Sequence, residues 1–326
     1  MRVSQVDLIE DESATASIVQ RTPRQIAWTR FKRNKVGVLS AAVAIFFILG
    51  AYLAPLITRV MGLSSTKTYP KTLNDYAMPI GHAGGISLSH PLGVEPGAGR
   101  DLLSLLLYGS RISFTVAFIV SVASIGLGML IGITPGYFRG KLDAIVGRFS
   151  DFLLSFPGTF MIIALALPLR ERVEALGIAR DNGARIIVLI FFFVFFGWPG
   201  FARLIRSQAF SMRERDFVMA AQALGASSWR IITRELLPNL WPTAIVFLSI
   251  SLPGYLAAEA VFSFLGVGVQ APASTFGLVL SDAVTYWRDD PAYLIIPSMY
   301  LIIIVLSLNL LGDAIRDALD PKAVAG

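Results

Sequence analysis

Few side chains in this sequence of 326 residues are spaced to do covalent chemistry. There is no cysteine, which removes disulfides, thiolate metal sites and a thiol nucleophile. The two histidines, His82 and His90, lie in a proline- and glycine-rich stretch without an acidic pair beside them. That is a poor metal site and predicts solvated loop residues. No G-x-x-x-x-G-K-[ST] phosphate loop occurs. Its nearest imitation, GYFRGKL (Gly136 to Leu142), is one residue short and has Leu142 where a magnesium-binding hydroxyl belongs. It reads as a tight, positively charged turn. The chain is therefore expected to be no enzyme, with no catalytic residue, cofactor or metal of its own.

Two features keep chemical interest. Glu259 sits in the apolar run LAAEAVFSFLG. A carboxylate at membrane depth is costly and often functional, so it either serves a transport pathway or makes a structural hydrogen bond. The second is VMAAQALGASSWRIITRELLPNLWP, from Val218 to Pro242. From Phe217 to Leu224 every residue but Gln222 is apolar, and Ala220, Ala221 and Ala223 are small enough to seat a helix deep in another protein's groove. Gly225 permits a sharp bend. Ser227 and Ser228 can cap a new helix near Trp229, and Pro238 suits the first turn of the next element. The pattern predicts helix, bend, helix and membrane re-entry. An amphipathic connector lying on the bilayer fits it equally.

The elements that hold these features follow from hydropathy. The composition is 55% hydrophobic and 15% charged, against roughly 25% charged in an average soluble domain. The net charge of +6 clusters beside apolar runs, which argues against nucleic acid as a partner. Six apolar stretches are long enough to span a bilayer, at about 37–58, 112–136, 148–169, 185–206, 240–261 and 292–312. The third contains Pro157 and the fifth Pro253, which bundles tolerate. Lys and Arg concentrate in the N-terminal segment (Arg21 to Lys35), the second connection (Arg139, Lys141, Arg148), the fourth (Arg203 to Arg234) and the tail (Arg316, Lys322). With six spans all four lie on one side, so both termini are expected in the cytoplasm. Arg170, Arg172, Arg180 and Arg185 are a weak exception outside. The polar start predicts no cleavable signal peptide and a disordered tail over 1–21. Thr22-Pro23 marks a helix start. Trp28 and its basic neighbours then read either as an interfacial helix or as a plain positive-inside flank. Asp313 and Arg316 are spaced for a helical ion pair.

Met219-Ala220-Ala221, Gly225 and Leu237-Pro238 resemble the cytoplasmic loop signature of permease subunits in bacterial ABC importers, Glu-Ala-Ala, three residues, Gly, and a spacer ending in Leu-Pro. Met219 stands where the family often has Glu, and Glu235 where the pattern is apolar. HPLGVEPGAGRDLLSLLLYGSRISF (His90 to Phe114) is similar to the segment before the second span of the dipeptide/oligopeptide permease subfamily, with Val94-Glu95 replacing a hydroxyl-Asp pair. FLGVGVQAPASTFGLVLSD (Phe264 to Asp282) resembles that subfamily's outer re-entry. NLLGDAIRDALDPK (Asn309 to Lys322) is similar to its C-terminal signature, and RFKRNKVGVLS to its extra first helix.

The resemblance covers about 22–322 and points to the C-type partner of a two-permease importer. It implies an all-α integral membrane protein with six transmembrane helices and the type I ABC importer permease fold. Residues 22–60 would form the interfacial and extra first helices, 61–110 an extracellular connection, 111–315 a five-helix core with a coupling loop at about 212–238, and 316–326 a cytoplasmic tail. Met219, Ala220, Ala221, Ala223, Leu224, Gly225, Ala226 and Pro238 would contact an ATPase. Glu259, Phe264, Gly266, Gly268, Gln270, Pro272 and Asp282 would form a pathway or gate. The implied partners are a second homologous permease, one or two cytoplasmic ATPase subunits holding ATP and Mg, an extracellular or periplasmic substrate-binding protein and membrane lipids. Peptides are the implied cargo. The residues leave an ion-coupled secondary transporter open as the alternative.

Overall fold

The computed structural model describes residues 22–320; the tail expected over 1–21 and the end of the chain, 321–326, lie outside the described residues. Helix α1 (Pro23–Arg33) begins with a reciprocal cap. Gln25 N donates to Thr22 Oγ1 at 3.4 Å, and Thr22 N donates to Gln25 Oε1 at 3.0 Å. Asn34 ends α1 and starts α2 (Lys35–Tyr52), its side chain accepting from Gly37 N at 2.9 Å. The apolar run continues as α3 (Ala54–Met61) after a break at Leu53, so the expected span 37–58 is two helices.

The outer connection is folded rather than loose, and it corrects the reading of His90. That side chain is buried, its Nδ1 2.9 Å from Asp101 Oδ2, with Tyr69 edge-on to its ring. Asp101 also accepts from Ser104 N at 2.7 Å and caps α4 (Leu102–Phe138). His82 is exposed, as expected. Buried Glu95 accepts two hydrogen bonds from Arg100, at 2.5 and 2.7 Å. Burial pushes the Glu95 carboxyl above its ordinary range and outweighs the pull of Arg100. The pair thus only partly offsets desolvation and acts mainly to fix the geometry of the turn.

Because Asp101 caps it and Leu102, Leu105 and Leu106 enter the core, α4 starts well before the expected residue 112. Its 37 residues reach about 55 Å at 1.5 Å per residue. The expected third span is not one straight helix. Helices α5 (Gly140–Ser155) and α6 (Gly158–Ala175) meet at 84°. Pro157 has no N–H and drives Phe156 to extended backbone, which ends α5. Helix α7 (Asp181–Arg213) packs along α4 through Gly128, Gly132 and Gly136. A Cβ on Gly132 would press into the backbone of Ala202, and one on Gly136 would lie 2.8 Å from Ala209 Cβ. Small residues at this four-residue spacing let two backbones touch, which is how helices gain dispersion energy in lipid.

The chain finishes with α8 (Asp216–Ala223), α9 (Leu237–Phe264), α10 (Phe276–Tyr286) and α11 (Pro291–Leu319). Among the described residues five helices are long and apolar enough to cross a membrane, and a sixth if α5–α6 counts as one bent span. Among the described residues there is no β-strand beyond isolated bridges such as Thr68 with Arg100. Two of the four arginines that strained the charge rule, Arg170 and Arg185, have local partners. Arg170 pairs with Glu174 at 2.8 Å, and Arg185 donates to Gly266 O and Gly268 O. The ion pair spaced for Asp313 and Arg316 is not formed among the described residues.

Candidate functional site

Helix α8 is held from below by the end of α4. Arg213 donates to Tyr137 O at 2.8 Å and lies 5.6 Å over the Tyr137 ring. Gln222 donates to the Tyr137 hydroxyl at 3.5 Å. Arg139 pairs with Glu214 at 2.5 Å and stacks 3.8 Å over Phe210. Val218 is fully buried beside Ile133, Tyr137, Ile205 and Ala209. One face of α8 is therefore pinned, and the others are bare. Ala220, Gln222 and Ala223 are exposed, and Met219 is 49%, Leu224 88% and Trp229 73% exposed. A short apolar ridge of this kind, built on a rigid platform, needs a covering surface.

The bend is as expected. Gly225 has φ +79°. Its N–H donates to Gln222 O at 2.9 Å, and Ala226 N donates to Ala221 O at 3.0 Å. This is the two-bond left-handed helix cap that glycine favours. Ser227 then caps the next helix, accepting from Arg230 N at 3.4 Å. Pro238 lies in the first turn of α9, as expected, and no break in the helix precedes it. Ser228–Phe264 is one continuous 37-residue helix with a widened turn over Ile231–Leu236. Pro238 cannot donate to the carbonyl of Arg234, and the helix relieves this by widening ahead of it. The loop thus runs into α9 without a break. The bracing role of Tyr137, Arg139, Arg213 and Glu214 escaped sequence reasoning because the two halves of each contact are 75 or 76 residues apart in the chain. The one available signal was charge next to an aromatic at the two helix ends.

The outer segment folds back as expected. Gly266 has φ +78°. Gly268 packs against the Ser263 backbone, and Gly277 approaches Ala260, Ser263 and Phe264 so closely that no side chain fits. Asn182 acts like a strand edge, donating to Gln270 O at 2.7 Å and accepting from Gln270 N at 2.8 Å. Asp282 accepts from the Tyr293 hydroxyl at 3.0 Å. Phe264 is 40% exposed. Of the expected pathway residues only Pro272 lines the outer cleft, a space of about 610 Å³ that also holds Tyr108, Arg111 and Thr115.

Glu259 does not join that cleft. It is fully buried, and Ser113 Oγ of α4 donates to one carboxyl oxygen while Ser263 Oγ donates to the other at 2.7 Å. No cation pairs with it among the described residues. The geometry favours the structural hydrogen-bond role. Glu259→Gln is therefore expected to keep uptake and melting temperature near those of the parent, because a carboxamide still serves both hydroxyls. Glu259→Leu leaves hydroxyls unpaired and costs about 1–3 kcal/mol each. Loss of uptake by Glu259→Gln with unchanged melting would show that the charge itself is used.

Comparison with known proteins agrees with this architecture. The family model "Binding-protein-dependent transport system inner membrane component" matches residues 124–324. That of the "N-terminal TM domain of oligopeptide transport permease C" matches residues 22–78. The chain is 32% identical to the dipeptide transport system permease protein DppC of Alkalihalophilus pseudofirmus, over 92% of this chain and 90% of that one. It is 31% identical to the oligopeptide transport system permease protein OppC of Haemophilus influenzae, over 97% and 94%. It is likewise 31% identical to the glutathione transport system permease protein GsiD of Pectobacterium atrosepticum, over 93% and 92%. A solved chain of the MetNI methionine ABC transporter, in an inward-facing form, superposes with a TM-score of 0.50 at 21% identity. The match covers 66% of this chain and 96% of that one and concerns the fold alone.

Proposed function

Because the chain belongs to the family of binding-protein-dependent transport inner membrane components, we propose that it is one of two homologous permeases that together form a pathway for di- or oligopeptides. Cytoplasmic ATPase subunits hold the ATP and Mg and seat α8. A substrate-binding protein delivers cargo from outside, and both termini are cytoplasmic. The observation that carries this reading is the ridge of α8. Met219, Ala220, Ala223 and Leu224 are exposed around a buried Val218 and a fixed bend at Gly225. Pro238, within the first turn of α9, lies where the loop becomes the spanning helix.

The physical work of such a subunit is to make two bundle conformations respond to ATP. Binding energy on the ATPase side shifts the pathway only if α8 interacts differently with the two states. The structure supplies stiff connections for that. Tyr137 ties α8 to α4, and the continuous Ser228–Phe264 helix ties it to the outer re-entry. Peptide cargo is drawn from relatives named for dipeptide and oligopeptide transport, and glutathione in a third is itself a peptide.

An ion-coupled transporter would need embedded ionisable groups facing a cavity, whereas Glu259 is enclosed. Purification of the tagged full-length chain in mild detergent, with mass spectrometry of what is retained, tests the proposal. A second permease and one or two ATPases are expected. A homo-oligomer without an ATPase, together with uptake that survives ATP depletion and fails with an uncoupler, would overturn it.

A further inference from the structure

We propose that the groove between α1, the start of α9 and the end of α11 holds an anionic phospholipid of the cytoplasmic leaflet. The groove has a volume of about 710 Å³, with Arg24, Ile26 and Arg30 on one wall, Trp241 and Ile245 on the other and Asp320 at its end. The inference rests on the orientation given above, which puts this end of the bundle in the cytoplasm.

Charge identifies the occupant. Helix α1 carries Arg24, Arg30, Lys32 and Arg33 and no acid. Arg30 Nη1 donates to Asp320 O at 2.8 Å, which holds its guanidinium at the end of α11 and leaves its remaining N–H groups for a ligand. The Arg24 side chain is exposed and makes no ion pair or hydrogen bond with another described residue. Among the described residues lining the groove Asp320 is the one acid, so two guanidiniums leave that lining net positive. Guanidinium groups match phosphate oxygens in pairs.

The walls identify the source of the phosphate. Ile26 is 37%, Trp241 54% and Ile245 45% exposed. Trp241 and Ile245 lie on the first turns of α9, where that helix enters the apolar layer. Trp28, with the Lys32 ammonium 5.0 Å over its ring, is exposed on the same short helix, as aromatic residues at a membrane surface are. A free phosphate would satisfy the arginines and leave the apolar wall facing water. A lipid satisfies both, with its headgroup between Arg24 and Arg30 and a chain along Trp241 and Ile245. Basic pockets between helices on the cytoplasmic side are suited to anionic headgroups. The lipid would bridge α1 to α9, the helix that issues from the coupling loop.

The test is native mass spectrometry of the full-length chain, extracted from nanodiscs of phosphatidylglycerol mixed with phosphatidylcholine. Phosphatidylglycerol should be retained selectively. Arg24→Gln and Arg30→Gln should each lower retention about fivefold, and the pair about thirtyfold, while Arg24→Lys restores most of it. Trp241→Ala, which keeps the charges, should also weaken retention. Melting in phosphatidylcholine alone should be the same for all variants, showing that the fold is intact. Equal retention of both lipids, no loss in the double variant, or inorganic phosphate held in place of lipid would overturn the inference. Orientation is read separately. The chain has no native cysteine, so Arg33→Cys reports sidedness through an impermeant maleimide. Labelling from outside only would sink the orientation and this inference with it. Labelling from inside with no retained lipid would sink the lipid site alone.

Discussion

Gly225→Asp is expected to leave the protein in the membrane at its normal level while uptake falls to background and ATP hydrolysis by the assembled transporter no longer responds to cargo. The structure separates these two effects. A Cβ on Gly225 meets nothing within 4 Å, so the core is not disturbed. The backbone at φ +79° costs an L-residue about 1–2 kcal/mol, which a domain of this size absorbs when the strain stays local. The bend between α8 and Ser227 would relax instead, and the ridge of Met219 and Leu224 would leave its register, with a new charge beside it. Gly225→Ala, strained but uncharged, should sit between the two. Membrane abundance by immunoblot, peptide uptake and cargo-stimulated ATPase activity check this together. Normal uptake by Gly225→Asp would refute the role given to the bend.

Gly132→Leu should fail in the opposite way, with the protein largely lost from the membrane and little left to assay. Here the backbone is ordinary helix and space is the constraint. The added Cβ would lie 3.0 Å from Ala202 Cα and nearer still to its carbonyl oxygen. Backbone cannot step aside as a flexible side chain can, so α4 and α7 must separate. Gly128 lies one turn above, 2.9 Å from Trp198 O by the same measure, and Gly136 one turn below, so the displacement breaks the whole contact. Overpacking of this kind costs about 1–3 kcal/mol when side chains yield and more when only backbone is available. Gly126, on the same helix with open space where a Cβ would point, is the matched control and should accept Leu with normal abundance. Equal abundance of the Gly132 and Gly126 variants would contradict the close approach of α4 and α7.

These two glycines also show what could be read from the sequence. The bend at Gly225 was legible because turn chemistry is local. Small residues, glycine and two serines stand in order within one stretch, and the structure places cap, bend and new helix there. The role of Gly132 was not legible, since nothing near it in the chain names Ala202 as its neighbour. The same division explains His90. Its local surroundings are loop-like, and only the folded outer connection brings Asp101 and Tyr69 to it. The bend at Pro157 was half visible. A proline in a span can be tolerated or can break the helix, and the choice depends on whether neighbours take up the freed carbonyls. Here Phe156 turns extended and the helix breaks. Which residues face the outer cleft was not legible, because the face a helix or loop presents to a cleft depends on packing between segments distant in the chain. Pro272 reaches the outer cleft, while Glu259 lies between two serines.

The central claim is that α8 is seated in an ATPase. It is tested most directly by a single cysteine at Leu224, the more exposed of the ridge's two large side chains at 88%, in a chain that has none of its own. With the assembled transporter in native membranes, a short thiol-to-amine crosslinker at Leu224→Cys should join this chain to an ATPase subunit, and the yield should change between ATP-free and ATP-trapped states. A cysteine at Leu88, on the far outer connection, should give no such product. Crosslinks from Leu224→Cys that reach only lipid or this chain itself, while an ATPase still copurifies, would contradict the coupling role and leave α8 a connector on the membrane surface.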